Sequence, residues 1–141
     1  MSSLEERVRA LEDRDQIREL TARYCHAIAR AEAAAIVDLF CEDGVFEMGE
    51  RVVRGRSELE AFYGAVSDSP PIPFIQNHVI ELDGDLATGL CSVEIRLVQQ
   101  GEAYTAAGWY NDRYRREGDR WLFAHRLFHV LHWVPLSKGW A

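Results

Sequence analysis

Apolar residues recur at helical spacing from Leu4 to about Ile28, as Leu4, Val8 and Leu11 and then Ile17, Leu20, Tyr24 and Ile28, with charged residues between them. The pattern predicts one long helix or two abutting ones. Its first turns are too charged for a core, yet they carry a narrow apolar seam suited to meeting another subunit. After Ala31, the run Ala33, Ala34, Ala35, Ile36, Val37, Leu39 and Phe40 predicts a second, shorter helix ending near Phe40, and Glu42-Asp43-Gly44 breaks it. Val45, Phe46 and Met48 read as a strand, with Gly49-Glu50 as a tight hairpin into Val52-Val53. Ser57-Glu58-Leu59-Glu60 has the serine-to-glutamate spacing of a capping box and predicts a short helix through about Val66.

Between Ser67 and Pro73 three prolines prevent that helix from continuing, and the period then changes to that of strands. The strand-like segments are Phe74 to Leu82, Leu86 to Gln99, Ala103 to Arg115 and Arg120 to Val134, separated by Asp83-Gly84, Gln100-Gly101 and Glu117-Gly118-Asp119. Connections this short join antiparallel neighbours, so the expected class is α+β, a meander with the helices on one face. Alternation puts Phe74, Gln76, His78, Ile80 and Leu82 on one face of the first long strand. On the next strand Ala87, Gly89, Cys91, Val93, Ile95 and Leu97 form a small or apolar face suited to a cavity wall. No internal repeat or linker interrupts the chain, and residues 1–141 read as one domain.

Composition narrows the function classes. With 141 residues, 48% of them hydrophobic and 28% charged, the chain has the size and balance to bury a core without metal or disulfide support. The net charge of −7 and the scattered basic residues leave no electropositive stripe for a nucleic-acid backbone. No apolar run approaches the roughly 18 residues of a membrane span, and the first residues lack the design of a signal peptide; the expected compartment is the cytoplasm. Cys25, Cys41 and Cys91 have no metal or redox spacing and read as free thiols. Without a glycine-rich phosphate loop, a dinucleotide fingerprint or a Gly-x-Ser-x-Gly elbow, neither a nucleotide cofactor nor serine hydrolysis is supported, and no cofactor is expected. Alternation puts His125 and His129 on one face of the last strand and His132 on the other, so no three-histidine metal site is expected. Asp112, Arg113 and Arg126 are charged residues within strands, able either to orient a polar substituent or to form a cross-strand ion pair.

Four stretches, in order, carry a resemblance to a known family. They are Leu11-Glu12-Asp13-Arg14-Asp15-Gln16-Ile17-Arg18-Glu19-Leu20 leading to Tyr24; Asp38-Leu39-Phe40 with Asp43-Gly44-Val45-Phe46; Asn77-His78 before Asp83-Gly84-Asp85; and Gly108-Trp109-Tyr110-Asn111-Asp112-Arg113-Tyr114 with Trp121 and Ala124-His125-Arg126. Together they resemble the SnoaL-like branch of the NTF2-like superfamily over nearly the whole chain. The resemblance implies a cone in which a curved antiparallel sheet and N-terminal helices packed on its concave face enclose a pocket. The apolar seam of the first helix turns and the apolar residues on both faces of the last strand make a homo-oligomer, a dimer or trimer, the expectation.

In the dehydratase-like members of that family, a first-helix aspartate holds a histidine on the first long strand, and the pair removes a proton beside a carbonyl or leaving group. The carboxylate fixes the imidazole tautomer and stabilises the imidazolium. By resemblance, His78 is the catalytic histidine and Tyr24 the hydroxyl that polarises the substrate carbonyl, while Ile28, Phe40, Phe46, Cys91, Val93 and Tyr110 are substrate-binding candidates. The aspartate expected five residues after Tyr24 is Ala29, which can neither orient an imidazole nor balance its charge. Glu32, one turn further on, is a possible replacement. The resemblance implies a cofactor-independent lyase or isomerase, similar to scytalone dehydratase, acting on a small cyclic, hydrophobic ketone or hydroxy compound. Two alternatives stay open: a non-catalytic module binding a small apolar molecule, and a partner protein resembling the β subunit of an aromatic-ring dioxygenase.

Overall fold

Helix α1 (Leu4–Ala29) starts at a reciprocal cap. The Ser3 hydroxyl accepts from the Glu6 amide at 3.1 Å, and the Glu6 carboxylate accepts from the Ser3 amide at 2.9 Å. The periodic residues of its second half, Ile17, Leu20 and Tyr24, are buried, whereas Leu4, Val8 and Leu11 remain exposed. The computed structural model describes residues 2–65 and 69–139. Helix α2 (Ala33–Val37) is shorter than the sequence suggests, because Phe40 already opens strand β1 (Phe40–Met48). Gly49, with φ +60°, turns the chain into β2 (Arg51–Arg54). Helix α3 (Gly55–Tyr63) begins two residues before Ser57, with the Arg54 amide donating to Glu58 Oε1 at 3.4 Å, so the Ser57–Glu60 capping box is not used. The expected helix end at Val66 and the loop start at Ser67 lie outside the described residues.

Strands β3 (Ile72–Asp83), β4 (Leu86–Gln99), β5 (Glu102–Glu117) and β6 (Arg120–Pro135) form the long meander and complete a six-stranded sheet in the order β2-β1-β6-β5-β4-β3. Neighbours are antiparallel except β1 and β6, which pair in parallel and bring the first strand against the last. The buried side chains form one cluster between this sheet and the helices. A polar anchor fixes α1 on the sheet. The guanidinium of Arg116 grips Asp13 through two bonds of 2.8 and 2.9 Å, and Trp121 Nε1 donates to the same carboxylate at 3.1 Å.

Two bulges correct the face assignments drawn from simple alternation. In β3, Gln76 pairs with Ser92 and Val79 with Leu90, so Asn77 and His78 together oppose Cys91, and Asn77 takes a φ of 55°. The extra residue inverts the phase of the strand. Phe74, 45% exposed beneath Arg96, and Gln76 lie on the outer face, while Pro73 and Ile75 join His78, Ile80 and Leu82 inside. In β6, Ala107 pairs with His132 and Gly108 with Val130, so the extra residue Leu131 moves His132 onto the outer face with His125 and His129. The three histidines therefore share a face after all, spread along the strand. Among the described residues no group of three or more His, Cys, Asp or Glu side chains could hold a metal ion, and no helix is long and apolar enough to cross a membrane.

Candidate active site

The concave face and the helices enclose a cavity of about 340 Å³, within the range usual for small-molecule sites. Its wall includes Tyr24 and Ile28 from α1, Phe46 and Met48 from β1, Phe62 and Tyr63 from α3, Tyr110 from β5, and Phe128 and Trp133 from β6. Among the described residues no charged side chain lines it. At its edge, Trp133 Nε1 donates to Gln99 Oε1 at 3.0 Å. A larger groove of about 720 Å³ beside α1 is more open and rimmed by Glu19, Arg23, Arg30, Glu32, Asp38 and Arg120, a solvated surface rather than an apolar site.

Four of the residues expected at a site, Tyr24, Ile28, Phe46 and Tyr110, meet in this cavity. Phe40, Cys91 and Val93 are buried in the core beside it, and they, like His78, are not part of its wall. The polar feature of the wall is a pair of phenols. Tyr24 Oη and Tyr63 Oη are 2.8 Å apart, so one donates to the other and the acceptor keeps its own proton for a third partner. Burial pushes Tyr24 well above the ordinary phenol range, and burial does the same to Tyr63, so both are neutral donors.

Behind Tyr110 lies a buried polar chain. Arg126, fully buried, has its guanidinium carbon 3.5 Å from the Tyr110 ring centre, 4.3 Å from that of Tyr24 and 4.5 Å from that of Phe123. Its Nε is 3.1 Å from Asp112 Oδ1, which realises the cross-strand ion pair; Arg113 points to the exposed side. No guanidinium nitrogen of Arg126 has a hydrogen-bond partner among the described residues, so its contact with Asp112 is an ion pair alone and the ring faces carry the rest of the charge. Burial pushes the Asp112 carboxyl up, against the pull of Arg126 and Tyr114. A buried guanidinium with no other anionic contact among the described residues nonetheless requires this carboxylate in its ionised form.

Asp112 Oδ2 accepts from Tyr114 Oη at 2.8 Å, and Tyr114 Oη lies 3.0 Å from His78 Nε2. The Tyr114 proton is thereby committed to Asp112, so His78 Nε2 carries the hydrogen of the second bond. Burial, with Arg126 and Arg18 adding repulsion, lowers the pKa of His78 to about 4, which makes it neutral at neutral pH. Gly89 supplies the space for this contact. A Cβ there would sit 2.5 Å from Tyr114 Oη and 3.0 Å from His78 Nε2. Glu32 does not replace the missing carboxylate: it precedes α2, half-exposed, 3.9 Å from Arg30.

The sequence marks no role for Tyr63, and it marks Gly89 only as part of the β4 wall face and Tyr114 only as part of a family-like stretch, neither as a site residue. Strand alternation puts Tyr110, Asp112 and Tyr114 on one face, which was the available signal for Tyr114. Nothing in the α3 sequence marks Tyr63 as the partner of Tyr24.

The family model described as a SnoaL-like domain matches residues 9–127. A steroid Δ-isomerase of Nocardioides simplex is 39% identical over 54 residues, a stretch covering 37% of this chain and 44% of that protein, so the match spans less than half of the relative's length. An NTF2-like protein with a cystatin-like fold from Novosphingobium aromaticivorans is 26% identical with a TM-score of 0.78, over 93% of this chain and 92% of that one. A hexachlorocyclohexane dehydrochlorinase from Novosphingobium barchaimii shares the fold at 18% identity and a TM-score of 0.80, over 91% of this chain and 92% of that one. With the family model spanning most of its length and the cone-shaped sheet to match, this chain belongs to the SnoaL-like domain family.

Proposed function

We propose that the protein is a cofactor-independent isomerase or lyase acting on a small, largely apolar cyclic ketone or hydroxy compound. The observation that carries this reading is a neutral histidine whose Nε2–H is engaged by Tyr114, which leaves Nδ1 as a base, together with an uncharged cavity that presents a phenol pair. In the proposed step the substrate oxygen accepts from the Tyr24–Tyr63 pair and His78 Nδ1 takes a proton from the carbon next to the carbonyl. The C–H electrons move into the new C=C bond and the carbonyl electrons onto oxygen, giving an enolate whose oxygen accepts hydrogen bonds from the phenols while His78 carries the proton. Return of the proton to a different carbon completes an isomerisation. Alternatively the enolate electrons expel a β-hydroxyl, which takes the proton from His78 Nδ1 and leaves as water, completing an elimination and restoring the base.

This mechanism has a geometric requirement: the bound substrate must bring its acidic carbon within reach of Nδ1, although His78 is not on the cavity wall. That separation favours a second reading, in which the cavity only captures an apolar ligand. Solvent deuterium exchange separates the two. Incubation of β,γ-unsaturated and β-hydroxy cyclic ketones in deuterium oxide is expected to give protein-dependent label beside the carbonyl, lost in His78→Ala and reduced in Tyr24→Phe. Undiminished exchange in His78→Ala removes the assigned base. Saturable binding of the same ketones without exchange establishes the binding module instead.

A further inference from the structure

The family pattern asks for a carboxylate on α1 beside the histidine, and here Ala29 occupies that position. We propose that Asp112 and Tyr114 are positioning residues that do this work from the opposite side, holding His78 as the Nε2–H tautomer so that Nδ1 is the proton-accepting atom. The catalytic meaning of this arrangement rests on the reading of His78 as the base; the arrangement itself does not.

Four independent features build the contact. The bulge at Asn77 puts His78 on the inner face opposite Cys91, the place that an unbroken continuation of the upstream register would give to Asn77. Gly89 on β4 leaves the space in which the His78 and Tyr114 side chains meet. Arg126 holds Asp112 through Oδ1, so that Oδ2 is left to take the Tyr114 proton. Tyr114 itself is 1% exposed and packed on Phe123 with ring centres 5.8 Å apart, which denies the phenol another orientation. The result is a directed chain in which His78 Nε2–H donates to Tyr114 Oη and Tyr114 Oη–H donates to Asp112.

Acting through a phenol changes the chemistry as well as the address. When Nδ1 takes a proton, the positive charge is balanced by a carboxylate one hydrogen bond further away than in a direct pair, and that carboxylate is shared with Arg126. Such a histidine is a weaker base than one in direct contact with a carboxylate. It therefore suits a carbon already acidified by two activating groups, such as a carbonyl and an adjacent double bond, better than a simple ketone.

Long-range proton–nitrogen correlation of the full-length ¹⁵N-labelled protein, with His78 assigned by His78→Gln, tests the inference without any substrate. The expected spectrum between pH 6 and 8 has His78 Nε2 as a protonated nitrogen and Nδ1 as a bare one. Tyr114→Phe is expected to bring up the Nδ1–H tautomer and to speed exchange of the Nε2 proton. It is also expected to lower kcat for the ketone exchange by at least about tenfold with little change in KM. A protonated Nδ1 in the wild type, which needs no variant to observe, overturns the inference, as does an unchanged tautomer in folded Tyr114→Phe. The expected spectrum combined with full activity of His78→Ala leaves the tautomer lock standing and refutes the catalytic reading instead.

Discussion

Substitution of Gly89 by alanine isolates the contact on which the site depends. Gly89 is not in the left-handed region, so alanine meets no backbone strain there, and a regular strand position favours it over glycine by about 0.5 kcal/mol. The steric term opposes this. The new methyl would lie 2.5 Å from Tyr114 Oη, 2.8 Å from Tyr114 Cε2 and 3.0 Å from His78 Nε2, all well inside van der Waals contact. To relieve the overlap Tyr114 must withdraw by roughly an ångström from a fully packed site, where overpacking costs about 1–3 kcal/mol. Its bonds to Asp112 and His78 lengthen with it, and a bond to a charged acceptor contributes about 1.5–3 kcal/mol. With partial relaxation, a net loss of about 2 kcal/mol is expected, read by urea unfolding followed through tryptophan fluorescence. The Tyr114→Phe background makes the reasoning refutable, because removing the hydroxyl abolishes the closest overlap. Gly89→Ala should then cost about 1 kcal/mol less than in the wild type, a coupling well beyond the ~0.3–0.5 kcal/mol seen for independent sites. Equal costs in both backgrounds would mean that the pocket beside Gly89 does not hold the Tyr114 hydroxyl.

Four further outcomes are expected. Because the pKa of His78 is lowered to about 4, the rate of substrate proton exchange should stay level as pH falls from 8 and drop only towards pH 4; a descending limb near the ordinary value of 6.5 would contradict the burial of this ring. In the same window the unfolded chain binds a proton that the folded one refuses, so stability should rise with pH between about 4 and 6.5, and His78→Gln should flatten that slope. Arg126→Met strands the Asp112 carboxylate in the core and should cost about 3–5 kcal/mol in urea unfolding, while Arg126→Met combined with Asp112→Leu should recover most of it. Burial raises the pKa of Asp13, but the bonds from Arg116 and Trp121 outweigh it and hold the group below its ordinary value of 3.8, so Asp13→Asn should remove stability present above that pH and lost below it; an unchanged acid-unfolding curve would rule the anchor out.

The elements were legible wherever one period ran unbroken. The α1 seam ending in Ile17, Leu20, Tyr24 and Ile28, and β4 with its Ala87-to-Leu97 inner face, appear where the pattern put them. Misreadings arose where one residue disturbed the count. Asn77 and Leu131 each add a residue without changing composition, and no hydropathy pattern separates a bulged strand from a regular one that has polar positions. Ser57 and Glu60 have a capping spacing, yet the preceding Gly55, with φ +77°, lets the helix begin earlier. Of the site, Tyr24 and Tyr110 were reached through the family resemblance, since a place on an inner stripe by itself marks a core residue and not a site residue. The His78–Tyr114 contact could not be reached in that way, since it depends on the register of β3, β4 and β5 together and on the missing side chain at Gly89.

The parallel pairing of β1 with β6 has a consequence for how the chain reaches this structure. β6, which follows the other five strands of this sheet in chain order, occupies its middle, with Phe40 registered against Phe123. Until β6 is available, the β1–β2 hairpin and the β3–β4–β5 meander are two fragments, each with an unpaired edge of the kind that recruits other chains. Neither fragment holds the full polar chain, because Arg126 is carried by β6 while Asp112, Tyr114 and His78 belong to the meander. Arg126 meets Asp112 as soon as the short β5–β6 hairpin closes, whereas joining the β1–β2 hairpin to β6 closes a loop spanning from Phe40 to Phe123, a long-range pairing of the kind that slows folding.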